Sequence, residues 1–137
     1  KLPGMLVLQF AFDGNTTNPH LPHNHTRDDV IYTGTHDNDT TIGWYESLTE
    51  ANRKQLKEYC FNSPDEMPWL MIEAALASVG RMAIIPMQDF LELDGRHRMN
   101  MPGTTDKNWV WTFSWDQVDS ALADRIRQLL TAYQRLN

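Results

Sequence analysis

The sequence predicts an α/β fold built on parallel strands, and three observations carry that expectation. Met5–Phe12 ("MLVLQFAF"), Val30–Thr33 and Met82–Pro86 ("MAIIP") are nearly continuous apolar runs of strand length. Runs of that kind suit strands buried on both faces, as in parallel sheets. The second and third runs are separated by long stretches with helical spacing and capping signals, so their strands need parallel crossovers. Polar, chemically capable residues, His36 and Asp37, fall just past the second run, where α/β proteins gather functional groups.

The elements follow in order. After Met5–Phe12, residues 13–29 are rich in Asn, Pro, His and Thr and read as a long irregular loop. Past Val30–Thr33, Asp39 is expected to cap a short helix through Tyr45, and Thr49 the next one, with Leu56, Tyr59 and Cys60 on its apolar side. Ser63-Pro64-Asp65-Glu66 has the spacing of a capping box with Pro at the first helical position. Trp69, Ile72, Leu76 and Val79 then recur at helical spacing, and Gly80 is expected to end that helix. Residues 89–103 form a second polar loop after Met82–Pro86, and Trp109–Phe113 reads as an extended edge segment. Ser114-Trp115-Asp116-Gln117 is another capping box, leading a last helix with Val118, Leu122, Ile126, Leu129 and Tyr133 on one face.

Composition narrows the function classes. The 137 residues suit one domain by size, with 41% hydrophobic and 22% charged residues, a globular balance. The net charge of −6 argues against a nucleic-acid partner, which needs a basic face. No apolar run reaches the ~20 residues of a bilayer span, so no membrane role is expected. Cys60 is the only cysteine, which excludes an internal disulfide and fits a reducing, cytoplasmic setting. The opening "KLPGMLVLQFAF" has no initiator Met, and three parallel strands are few for a closed core; both features suggest part of something larger.

"THDND" offers several chemistries at once. A carboxylate at Asp37 suits metal binding with His36, general base work, or the holding of sugar hydroxyls by charge-assisted hydrogen bonds. The bland alternative makes Asp37 and Asp39 a turn and a cap. If the loops of all three strands share one mouth, Gln9, Phe10, Asp13, Asp89 and Asn100 face Asp37. His20, His23 and His25 match no zinc spacing and read as loop structure or sugar contacts. The five Trp suit sugar stacking, although Trp more often packs a core.

"LPGMLVLQFAF", "NPHLPHNH", "VIYTGTHDNDTTIGWY", "IIPMQDFLELDGRHRMNMPGT" and "NWVWTF", in this order and spacing, resemble glycoside hydrolase family 77, the 4-α-glucanotransferases. The resemblance covers nearly the whole chain. It implies a modified (β/α)₈ barrel of the TIM type, with the three apolar runs as its sixth, seventh and eighth strands. The chain would then be the C-terminal portion of that barrel, about three βα units, with no complete independent domain in 1–137. The activity implied is retaining transfer of α-1,4-glucan segments between maltooligosaccharides, glycogen- or starch-derived, with no cofactor and no metal. Asp37 matches the family's transition-state-stabilising Asp. His36, Phe10 and Asn100 match substrate-contacting positions. The family's nucleophile Asp and acid/base Glu match nothing here, so the chain alone is expected to be inactive. Its partners would be the glucan and the missing N-terminal part of the same enzyme, with self-association if that part is absent. Departures are small: Asn24-His25-Thr26 stands where Asn-Tyr-Pro is frequent, and Lys107 where Gly is common. Two other classes stay open at this point. One is a non-catalytic α-glucan-binding module; the other is a metal-dependent hydrolase using His36, Asp37 and Asp39.

Overall fold

The computed structural model describes residues 2–60 and 65–136. Three strands, β1 (Met5–Val7), β2 (Val30–Tyr32) and β3 (Met82–Ile84), form one parallel sheet in the order β1-β2-β3. The helices are α1 (Thr41–Ser47), α2 (Glu50–Tyr59), α3 (Trp69–Ala77), α4 (Met87–Phe90) and α5 (Ser120–Ala132). None of the described helices is long and apolar enough to cross a membrane.

The register explains how the sheet is used. Leu6, Ile31 and Ala83 are in line across the strands, and all three belong to or pack on the core cluster of Leu8, Phe12, Leu56 and Met71. The adjacent row is Met5, Val30 and Met82, where Met5 is 60% and Met82 51% exposed. Residues one apart point to opposite faces, so helices cover one face and leave apolar side chains bare on the other. A second cluster joins Trp69, Ile72 and Leu76 of α3 to Leu122, Ile126, Leu129 and Leu130, which fastens α5.

Several expected boundaries move, each for a local reason. The first strand stops at Val7 rather than Phe12, because Leu8–Phe10 winds into a 3₁₀ turn. Leu8, Ala11 and Phe12 are still buried, so the apolar run is real but is only partly strand. β2 and β3 stop at Tyr32 and Ile84, short of Thr33 and Pro86. Thr40, not Asp39, caps α1, its hydroxyl accepting from Gly43 N–H at 3.2 Å. Thr49 caps α2 as expected, accepting from Asn52 N–H. The capping box at Ser63-Pro64-Asp65-Glu66 begins outside the described residues. α3 ends at Ala77, and Val79 lies beyond it, 58% exposed. Gly80 is therefore not the helix stop. A Cβ there would sit 2.6 Å from Ile31 Cγ1, so the glycine lets the chain pass close to β2. Trp109–Phe113 forms no strand, and Trp109 takes a left-handed backbone at φ 63°. The Ser114 capping box exists, but it serves a separate 3₁₀ turn, Trp115–Gln117; Asp119 caps α5.

The α3–α5 contact carries a titratable group. Glu73 lies near Asp65 and Arg125, and Arg125 sits 3.7 Å over the Trp69 ring. Burial, then hydrogen bonding and charge from Asp65, push the Glu73 carboxyl up to about 7, against the opposing pull of Arg125. A raised folded-state value means the contribution to stability is full below the ordinary 4.5 and is lost as pH rises towards 7. Burial of His20 and His25 lowers their values, which acts in the other direction: stability is lost as pH falls below 6.5. Comparing Glu73→Gln with the parent at each pH isolates the first effect. The variant is expected to raise the thermal midpoint at pH 8 and to leave it unchanged at pH 4.5. An equal shift at both values would show that Glu73 does not titrate in this range.

Candidate functional site

All three strands point their carboxyl ends to one mouth, and hydrogen bonds tie the loops there together. Gln9 N–H donates to Thr33 O, and Gln9 Nε2 donates to Asp39 O at 2.9 Å. The loop after β3 reaches the same place. Asn100 Nδ2 donates to Asp37 Oδ1 at 2.7 Å, and Arg98 Nη2 donates to Asp37 O at 3.0 Å. A sheet of consecutive parallel strands puts its carboxyl-end loops side by side, which is why residues sixty positions apart in sequence meet.

Asp37 is held but open. His36 Nε2 is 3.4 Å from its Oδ1, and the two side chains are 57% and 53% exposed. Among the described residues Oδ2 has no partner. The His36 ring lies 5.0 Å from the ring of Trp109, itself exposed. A cleft of about 230 Å³ opens beside them, lined also by Thr35, Asp39, Gln88 and Arg98. A larger hollow, about 700 Å³, lies among Tyr59, Cys60, Glu73, Ala74 and Tyr133, away from the strand ends. Asp37 lines neither hollow, but its neighbours His36 and Asn38 line the smaller one and not the larger.

Of the residues expected to share this face, Asn100 and Gln9 are there. Phe10 is half-exposed in the 3₁₀ turn that follows β1, its ring edge-on to His20 at 5.5 Å. No hydrogen bond or ring contact joins it to Asp37 among the described residues. Asp13 accepts from Asn15 N–H and serves its own loop. Asp89 is buried. It accepts from Thr33 Oγ1 at 2.7 Å, Thr41 Oγ1 at 2.8 Å and Thr41 N–H at 2.9 Å. Burial raises its carboxyl above the usual range while those three donors pull it back. It is a cross-link under the site and does not face the mouth.

The metal reading of His36, Asp37 and Asp39 finds no support in the geometry. Asp39 turns its carboxylate to Thr40 N–H, 2.8 Å away, and to Arg98 Nη1, 3.7 Å away. The three loop histidines are occupied structurally. His20 Nδ1 accepts from Val7 N–H at 2.9 Å, and His23 Nδ1 and Tyr59 Oη are 2.8 Å apart. His25 links Ser78 Oγ and His20 O. Sequence reasoning missed Arg98 and the placement of Trp109. Arg98 lies inside "IIPMQDFLELDGRHRMNMPGT", but nothing in the spacing separates an inward arginine from a solvent-facing one.

A family model described as 4-alpha-glucanotransferase, glycoside hydrolase family 77, matches residues 1–117. The chloroplastic/amyloplastic 4-alpha-glucanotransferase of Solanum tuberosum is 48% identical over 141 residues, covering 99% of this chain and 24% of that protein. The 4-alpha-glucanotransferase of Thermus thermophilus is 41% identical over 143 residues, covering 98% of this chain and 29% of that protein. Amylomaltase from Streptococcus agalactiae, solved in complex with acarbose, superposes with a TM-score of 0.94 at 33% identity, over 99% of this chain and 28% of that one. The chain thus spans about a quarter of the length of the relatives it matches.

Proposed function

The chain belongs to glycoside hydrolase family 77, the 4-alpha-glucanotransferases, and from that premise we propose that it forms the C-terminal part of the catalytic (β/α)₈ barrel of such an enzyme. The complete enzyme moves an α-1,4-glucan segment from a donor to the 4-hydroxyl of an acceptor. Retention takes two carboxyl groups, one attacking the anomeric carbon and one protonating the departing oxygen, then deprotonating the acceptor. Both belong to the portion upstream. Asp37 supplies the third carboxylate, which accepts hydrogen bonds from hydroxyls of the reacting sugar. Those bonds strengthen as positive charge develops on the ring. His36 and Asn100 contact the same sugar, and Phe10 bounds its subsite.

The observation that carries this reading is the Asp37 carboxylate: exposed at the strand ends, with one oxygen fixed by Asn100 and the other open. The rest of the barrel would cover the exposed Met5 and Met82 and pair with β1 and β3, each bonded on one side only among the described residues. A sheet left open in this way is prone to association, so the isolated chain is expected to self-associate. The single cysteine fits a reducing compartment, which we read as the cytoplasm.

Maltotriose incubated with the purified chain is expected to yield neither glucose nor longer maltooligosaccharides, and the complete polypeptide is expected to yield both. Product from the chain alone would place the nucleophile and acid within it and overturn this reading. The exposed Trp109 beside His36 favours a second one, a non-catalytic glucan-binding module. Saturable binding of maltooligosaccharide by a stable, monomeric chain would support that instead.

A further inference from the structure

We infer that Arg98 is the residue that positions Asp37 and Asn100 against one another, with Asp39 as its charge partner, so that the Asp37 carboxylate stays free for the sugar. The inference rests on the role assigned to Asp37 above and adds a division of labour between the two aspartates. Arg98 makes three contacts with one guanidinium. Nη2 donates to Asp37 O at 3.0 Å, Nε donates to Asn100 O at 3.3 Å, and Nη1 lies 3.7 Å from Asp39 Oδ2. A planar fork of five donors can hold two main-chain carbonyls and a carboxylate at once; an ammonium is a single point with no such geometry.

What Arg98 avoids is as informative as what it touches. An arginine paired to the Asp37 carboxylate would neutralise it and occupy its lone pairs. Here the cation meets Asp37 only at its main-chain oxygen. Asp39 takes the charge, and its carboxylate has little freedom to leave. It accepts from Thr40 N–H, and a Cβ at Gly43 or Gly95 would sit 2.6 or 2.9 Å from its Oδ1. The two glycines therefore make the close approach to Asp39 possible. Burial follows the same division: the Arg98 and Asp39 side chains are 21% and 27% exposed, that of Asp37 53%. Gln9 Nε2 on Asp39 O brings the loop after β1 into the same frame.

The Asn100–Asp37 bond is exposed and competes with water, so by itself it holds the carboxylate weakly. Arg98 fixes the main chain on both sides of it. A shift of about 1 Å in a reacting geometry costs on the order of 10²-fold in rate. In the complete polypeptide, Arg98→Lys is expected to lower kcat by roughly 10- to 100-fold. KM should move by less than roughly threefold, because contacts to the outer sugars remain. In an Asn100→Ala background the same substitution should add less than roughly threefold, since the alignment it protects is already gone. A purely structural arginine would lower the melting temperature and act multiplicatively with Asn100→Ala. An Arg98→Lys enzyme within twofold of the parent kcat, or full multiplicativity, would overturn the inference. A crystal structure of the Arg98→Lys protein supplies the second readout, legible whether or not the polypeptide turns over glucan. Loss of the Asn100–Asp37 bond supports the inference, and an unchanged bond overturns it. A parent polypeptide without disproportionation activity would instead count against the glucanotransferase reading.

Discussion

Asp37→Asn in the complete polypeptide is expected to lower kcat for maltotriose disproportionation by roughly 10³-fold or more while the protein stays folded. The magnitude follows from where the charge sits. A carboxylate facing a developing oxocarbenium acts on charge that exists only in the transition state, and loss of such a group costs about 4 kcal/mol or more. The fold should tolerate the change because Asp37 is more than half exposed and carries no structural ion pair of the kind Arg98 makes with Asp39. The amide oxygen of Asn can still accept from Asn100 Nδ2. Glucose release measured beside circular-dichroism melting separates the two effects. A loss smaller than tenfold with an unchanged melting temperature would remove Asp37 from the chemistry.

The placement of the candidate site was legible in the sequence to the extent that strand ends were legible. The run Val30-Ile31-Tyr32 followed at once by polar residues located the mouth, and His36, Asp37 and Asn100 are all there. The first strand was overextended because Leu8, Ala11 and Phe12 are as buried as Val7. A continuous apolar run reports burial and cannot distinguish strand from a buried 3₁₀ turn. Asp39 and Asp89 were misread for a related reason. Both are carboxylates in polar text near strand ends, where sequence carries no sign of direction. One faces Arg98 and the other turns under α1. Arg98 was invisible for the same reason: its partners are two main-chain carbonyls and a carboxylate brought together only by the sheet.

Asp89→Ala should be the most destabilising single change in this region, by about 3 to 5 kcal/mol in the complete polypeptide. The carboxylate is 1% exposed and accepts from Thr33 Oγ1, Thr41 Oγ1 and Thr41 N–H. Truncation strands three donors in a place water does not reach and leaves a void beside them. The Thr41 amide is in the first turn of α1, where the helix has no internal acceptor, so Asp89 satisfies it from a distant element. Asp89→Asn keeps the volume and two acceptor lone pairs, and both threonine hydroxyls can rotate to receive its amide hydrogens. Its cost should be about half as large. Because Thr33 begins the turn that delivers His36 and Asp37, the activity of Asp89→Asn should fall further than its stability alone explains. Urea midpoints with kcat on the same preparations test both statements. An Asp89→Ala protein within about 1 kcal/mol of the parent would show that the three donors find other acceptors, and that the cross-link does not set the position of the site.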